Sequence, residues 1–133
     1  MTLVIDASVA VKWILPEAGT AAATALRQED TDLIAPSLVI AEIGNALWKK
    51  ALRGEILKHE ATPALRLVIS RFSEIVAFEA LASTTVELAI ELRHPIYDCF
   101  YLALAERENA PLVTADETMI AAARKAKIRV RRI

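Results

Sequence analysis

Residues 3–16 read LVIDASVAVKWILP, and this stretch decides the fold. Leu3 to Ile5 form a short apolar, β-branched run closed by an acid, and Ala7 to Leu15 then carry a helical pattern stopped by Pro16. A strand feeding a helix recurs along the chain. A helix is predicted over Thr20 to Gln28. Asp32 leads into a strand at Leu33 to Ala35, and Ser37 suits the cap of a long helix through Leu52, with Gly54 placed as its left-handed terminator. Lys58 to Phe72 reads as helix with a start blurred by Pro63. Glu74 to Phe78 reads as the third strand.

Thr84 with Glu87 has the form of a capping box, opening a helix to about Arg93 before Pro95 interrupts. The next helix is expected to start near Asp98 and run through Glu108. A strand at Leu112 to Thr114 follows, then a helix from the cap Asp116 through Lys125, then a last strand at Ile128 to Val130. The alternation predicts an α/β fold, a parallel sheet covered by helices on both faces, in one domain over residues 1–133.

A chain of 133 residues buries roughly two thirds of the surface that its unfolded form exposes, so it needs no staple. Its hydrophobic content of 55% and mean hydropathy of +0.36 predict apolar surface left over for a partner or a second subunit. With 16 basic against 17 acidic residues the net charge is −1, which excludes a polycation that coats nucleic acid by bulk attraction. The one cysteine, Cys99, has no partner for a disulfide or a Cys-based metal site, and a reducing cytoplasm fits best. The N-terminal run holds Asp6 and Lys12 and has no basic leader, so it does not read as a signal peptide. No uncharged apolar run reaches the ~18 residues required to span a bilayer. No membrane association is expected.

Four acids stand out: Asp6, Glu42, Asp98 and Asp116. If their carboxylates converge, the shared negative charge is unfavourable without a cation. Asp6 and Asp116 each fall just past a predicted strand, on the rim where open α/β sheets bind ligands, and each equally suits the cap of the following helix. Asp98 lies in a first helical turn, which favours a carboxylate in any case. Glu42, Asn45, Lys49 and Arg53 share helical spacing and also suit a plain solvated face. With oxygen ligands only, the set fits Mg²⁺ or Mn²⁺. His59 and His94 have no partners at ligand spacing, so zinc and a histidine base are poor fits and both read as surface histidines.

Four segments carry a likeness: VIDASVAVKWILPE at 4–17, PSLVIAEIGNALWK at 36–49, YDCFYLALAE at 97–106 and PLVTADE at 111–117. In order and spacing they resemble the PIN-domain family of nucleases, especially the small VapC-like toxins of bacterial toxin–antitoxin pairs, over essentially the whole chain. The resemblance implies a three-layer α/β/α sandwich around a central parallel five-stranded sheet. It places Asp6, Glu42, Asp98 and Asp116 on the family's acidic metal positions and Ser8, Asn45 and Thr114 on supporting polar ones. Cys99, where such domains often carry alanine, reads as a small buried hydrophobe.

The implied activity is Mg²⁺- or Mn²⁺-dependent hydrolysis of RNA phosphodiester bonds by a cytoplasmic enzyme, with a cognate antitoxin as partner and a homodimer as assembly. Asp6 and Asp98 take the central ligand roles, Asp116 a second or water-bridged one, and Glu42 orients the attacking water or holds an outer metal. A receiver-like phospho-acceptor would pair acids after the first strand and put a lysine after the last, but Asp6 has no acidic neighbour and Glu42 on the long helix would go unexplained. A catalytically idle binding module would not need all four acids. The basic tail from Arg124 to Arg132 and the cluster Lys49, Lys50 and Arg53 either track phosphates or keep an apolar protein soluble. Trp13 and Trp48 either anchor contacts or fill the core.

Overall fold

A computed structural model describes residues Met1–Ile133. Its first strand, β1 (Thr2–Ile5), has Leu3, Val4 and Ile5 all fully buried. An unbroken apolar run is what a strand covered on both faces requires. The helix after it is shorter than expected: α1 (Ala7–Ala10) tightens into a 3-10 turn at Val11–Trp13. Pro16 disfavours helical backbone in the residue before it, and the last turn contracts ahead of it.

Helix α2 (Thr20–Leu26) opens at Gly19, whose φ of +87° is open to glycine and strained for other residues. Strand β2 (Asp32–Pro36) and the long α3 (Leu38–Leu52) follow. Gly54 ends this region at φ +72°, as the sequence predicts. Ser37 does not cap α3; its hydroxyl instead accepts from the Phe78 amide at 3.0 Å, tying β2 to the segment after the next strand. Helix α4 (Lys58–Ile69) runs through Pro63, and Glu60 fixes its start by accepting from the Leu57 amide at 2.7 Å.

Strand β3 (Glu74–Val76) stops two residues early, because Phe78–Leu81 turn into a 3-10 segment that leads into α5 (Ala82–Leu92). Thr84 therefore lies inside the helix and the predicted capping box does not form. Helix α6 (Ile96–Glu108) starts at Pro95, β4 (Leu112–Thr114) matches its predicted span, and α7 (Glu117–Lys125) begins at Asp116. The last strand, β5 (Val130–Arg132), sits two residues later than predicted. The reason is local: Lys127 is left-handed (φ +59°) and the Ile128 amide bonds back to the Ala123 carbonyl at 2.9 Å, so Ile128 is spent closing α7.

All five strands are parallel, in the order β3-β2-β1-β4-β5. The chain moves outward from β1 through β2 to β3, then crosses back to place β4 on the other side of β1. Right-handed crossovers put the helices of these two runs on opposite faces, giving three layers. Helix α6 is buried from Cys99 to Ala105 without a break, as a helix apolar all round must be. It contributes to a core of 31 buried residues. No helix is long and apolar enough to cross a membrane.

The reversal of strand order between β1 and β4 opens a crevice at their carboxyl ends, where ligands bind in such sheets. Asp6 follows β1 and Asp116 follows β4 by two residues. The fold itself thus sets Asp6 and Asp116 on one rim.

Leu102 is fully buried in α6. Leu102→Ala is predicted to lower unfolding free energy by about 2–5 kcal/mol through lost burial and the cavity left behind. Urea unfolding followed by circular dichroism measures the loss.

Candidate active site

Asp6 leaves β1 in extended backbone, and its side chain makes no helix cap. Its Oδ2 accepts the Ser8 hydroxyl at 2.7 Å and the Thr114 hydroxyl at 2.8 Å. Each hydroxyl also works as an acceptor: Ser8 takes the Ala115 amide at 3.1 Å and Thr114 takes the Asp116 amide at 3.0 Å. These four bonds stitch the end of β1 to the end of β4. Oδ1 of Asp6 has no protein partner, although the residue is only 5% exposed. Burial raises the Asp6 pKa, the two hydroxyls oppose that rise, and the charges of Asp98 and Asp116 add to it.

Asp116 does cap its helix, with Oδ1 accepting from the Thr118 amide at 2.9 Å. Capping leaves its other oxygen free of protein contacts, so one carboxylate satisfies both readings of the sequence. Glu42, on α3, accepts the Tyr101 phenol on Oε1 at 2.6 Å. Burial pushes its pKa up to about 7, the phenol lowers it, and Asp6 and Asp98 raise it. Asp6, Glu42 and Asp98 therefore share one field, with Asp116 joined through Asp6.

Asp98 is held by His94, whose Nε2 lies 2.7 Å from Asp98 Oδ2. This corrects the expectation of an ordinary surface histidine: the His94 side chain is only 13% exposed. Arg93 at φ +52° ends α5 and Pro95 starts α6, and this tight reversal folds His94 over the first turn of α6. The two residues stand four apart, a helical spacing that was available as a signal, but Pro95 between them makes His94 read as part of a turn. Tyr101 was equally hidden, since a fully buried tyrosine in an apolar helix reads as core.

With Tyr101 and His94 engaging two of the acids, no three His, Cys, Asp or Glu side chains stand close enough to enclose a metal ion. The carboxylates gather on one rim without closing into the oxygen cage that the sequence predicts. The chemistry of the donor set still fits a hard divalent cation. Asp6 offers a solvent-reachable oxygen unclaimed by protein, and every other acid keeps one oxygen free of protein hydrogen bonds. Protein partners occupy only part of each carboxylate.

Beside the acids lies a cleft of about 400 Å³ lined by Ala7, Ser8, Val11, Glu42, Asn45 and Lys49 among others. Asn45 makes no protein hydrogen bond, and Lys49, two turns beyond Glu42, pairs with no acid. Lys50, in contrast, pairs with Glu55 at 2.7 Å. Much of the basic tail is likewise engaged: Arg129 donates to the Asn109 carbonyl, Arg131 pairs with Glu29 and Arg132 with Glu117.

Cys99 is fully buried, and burial followed by the Asp98 charge pushes its thiol up to about 11, as a small hydrophobe rather than a nucleophile. The tryptophans divide. Trp13 bonds the Ala23 carbonyl at 2.8 Å and packs on Phe72, whereas Trp48 is 56% exposed beside an apolar groove of about 290 Å³ between α3 and α4.

Comparison with known proteins places this architecture. The PIN domain family model matches residues 3–125. Ribonuclease VapC3 of Pyrobaculum aerophilum is 30% identical over 121 residues, covering 90% of this chain and 92% of that protein. Ribonuclease VapC1 of Mycobacterium tuberculosis is 30% identical over 125 residues, covering 90% of this chain and 89% of its own. The crystal structure of VapBC2 from Rickettsia felis bound to a DNA fragment from its promoter superposes with a TM-score of 0.74 at 22% identity, covering 100% of this chain and 99% of that one.

The raised Glu42 pKa fixes a pH dependence. The unfolded chain releases this proton near the ordinary 4.5, the folded one near 7. Between those values the native state binds more protons, so the contribution of Glu42 to stability is present below about 4.5 and is lost as pH rises through about 7. In metal-free protein, Glu42→Gln is predicted to flatten the fall in the urea midpoint across this window. An unchanged pH slope in the variant would refute the assignment.

Proposed function

Since the chain belongs to the PIN-domain family, with VapC ribonucleases among its relatives at 30% identity, we propose that it is a metal-dependent endoribonuclease and the toxin of a toxin–antitoxin pair. The observation that carries this reading is Asp6: a nearly buried carboxylate at the crevice between β1 and β4, with one oxygen anchored, one oxygen free, and Asp98 and Asp116 acting on it. A single nuclease domain over residues 1–133 is part of the proposal.

Mg²⁺ or Mn²⁺ bound here would supply Lewis-acid stabilisation of phosphate charge and a more acidic water. Asp6 and Asp98 would hold it, with Asp116 as a second or water-bridged ligand. Ser8 and Thr114 fix the Asp6 carboxylate so that only Oδ1 faces the rim. Glu42, with a pKa of about 7 before metal enters, orients the attacking water. Asn45 and Lys49 continue the same cleft along α3, which supports a role for Lys49 at a neighbouring RNA phosphate. The intramolecular pairs of Arg129, Arg131 and Arg132 favour a structural role for the tail.

An antitoxin is the proposed partner, consistent with the VapBC2 assembly of Rickettsia felis. Exposed Trp48, Leu52, Leu57, Ile90 and Tyr97 leave apolar surface for it and for a second copy in a cytoplasmic homodimer.

Purified protein incubated with total RNA and Mn²⁺ is predicted to create new ends, mapped by sequencing. Asp6→Asn and Asp98→Asn each lower cleavage by about 100-fold or more, and excess chelator abolishes it. Full cleavage by both variants, or in chelator, would refute the mechanism and favour a binding-only module. For RNA contact, binding of Lys49→Ala measured against salt loses about 0.7 from the log–log slope expected for one phosphate on a single strand. Arg131→Ala leaves that slope unchanged.

A further inference from the structure

Resting on the nuclease reading above, we propose that Tyr101 is a positioning residue, its core-fixed phenol holding the Glu42 carboxylate at the edge of the cleft. Tyr101 is fully buried in α6 and Glu42 stands on α3, yet the phenol donates to Glu42 Oε1 at 2.6 Å across a separation of 59 residues. One hydroxyl thus joins α6 to α3.

Glu42 has no other protein partner. Asp6 and Asp98 both repel it, and a glutamate on a flexible stem relieves such repulsion by swinging into solvent. A donor on a side chain that cannot move opposes the swing. Burial and the carboxylates of Glu42 and Asp6 raise the Tyr101 pKa above its ordinary value, in keeping with a phenol that donates to Glu42. Packing alone does not call for the oxygen, because phenylalanine would fill nearly the same volume without a hydroxyl to desolvate. The hydroxyl is explained by what it holds.

The test compares wild type, Tyr101→Phe, Glu42→Gln and the double variant. In Mn²⁺ with saturating RNA, Tyr101→Phe lowers kcat by about tenfold or more, the size of a lost hydrogen bond to a charged group, and leaves KM within about twofold. The double variant is no slower than Glu42→Gln alone. In metal-free protein the carbon-13 resonance of the Glu42 carboxyl shifts in Tyr101→Phe, while other core resonances stay in place. A Tyr101→Phe enzyme with wild-type kcat, a loss that multiplies in full on that of Glu42→Gln, or an unmoved Glu42 resonance would each overturn the proposal. If wild type cleaves no RNA, the nuclease reading fails separately, and the Glu42 resonance alone then decides whether the phenol holds this carboxylate.

Discussion

The structure depends on how a nearly buried charge is accommodated at the end of its central strand. Asp6 cannot sit beneath α1 and beside β4 without compensation, since taking a carboxylate out of water costs several kcal/mol unless hydrogen bonds or charges offset it. Ser8 and Thr114 compensate one oxygen and, through the Ala115 and Asp116 amides, lock two strands in relative position. The same arrangement leaves the second oxygen without a donor. The carboxylate is thus anchored on one side and unclaimed on the other.

Around that centre each further acid is managed differently. Asp116 is shared with a helix end, Asp98 with an imidazole and Glu42 with a phenol. The partners are hydroxyls, a phenol, an imidazole and a backbone amide rather than lysines or arginines. Such hydrogen bonding keeps the acids ordered while leaving each one an unclaimed oxygen.

Much of this was legible in the chain itself. Strands at Leu3–Ile5, Leu33–Ala35 and Leu112–Thr114 declare themselves because two-sided burial demands unbroken apolar runs, and the acids that follow them mark the rim. Segment ends were harder to read. Ile128 and Phe78 look like strand residues by type, but a left-handed Lys127 and a 3-10 turn claim them, and both are decided by backbone closure rather than by side-chain preference. His94 and Tyr101 were missed for a related reason. The i,i+4 spacing of His94 and Asp98 is masked by the intervening Pro95, and the crossing that brings Tyr101 to Glu42 leaves no period in the sequence.

The outermost strand on the β4 side has a consequence for assembly. Val130–Arg132 is three residues long, and Arg131 and Arg132 project from it into ion pairs with Glu29 and Glu117. A border so short and so heavily guarded is a poor template for another chain to extend the ladder. That seam is thereby closed to ladder extension, and a companion docking on the helical flanks would be recognised by side-chain shape instead of main-chain pairing.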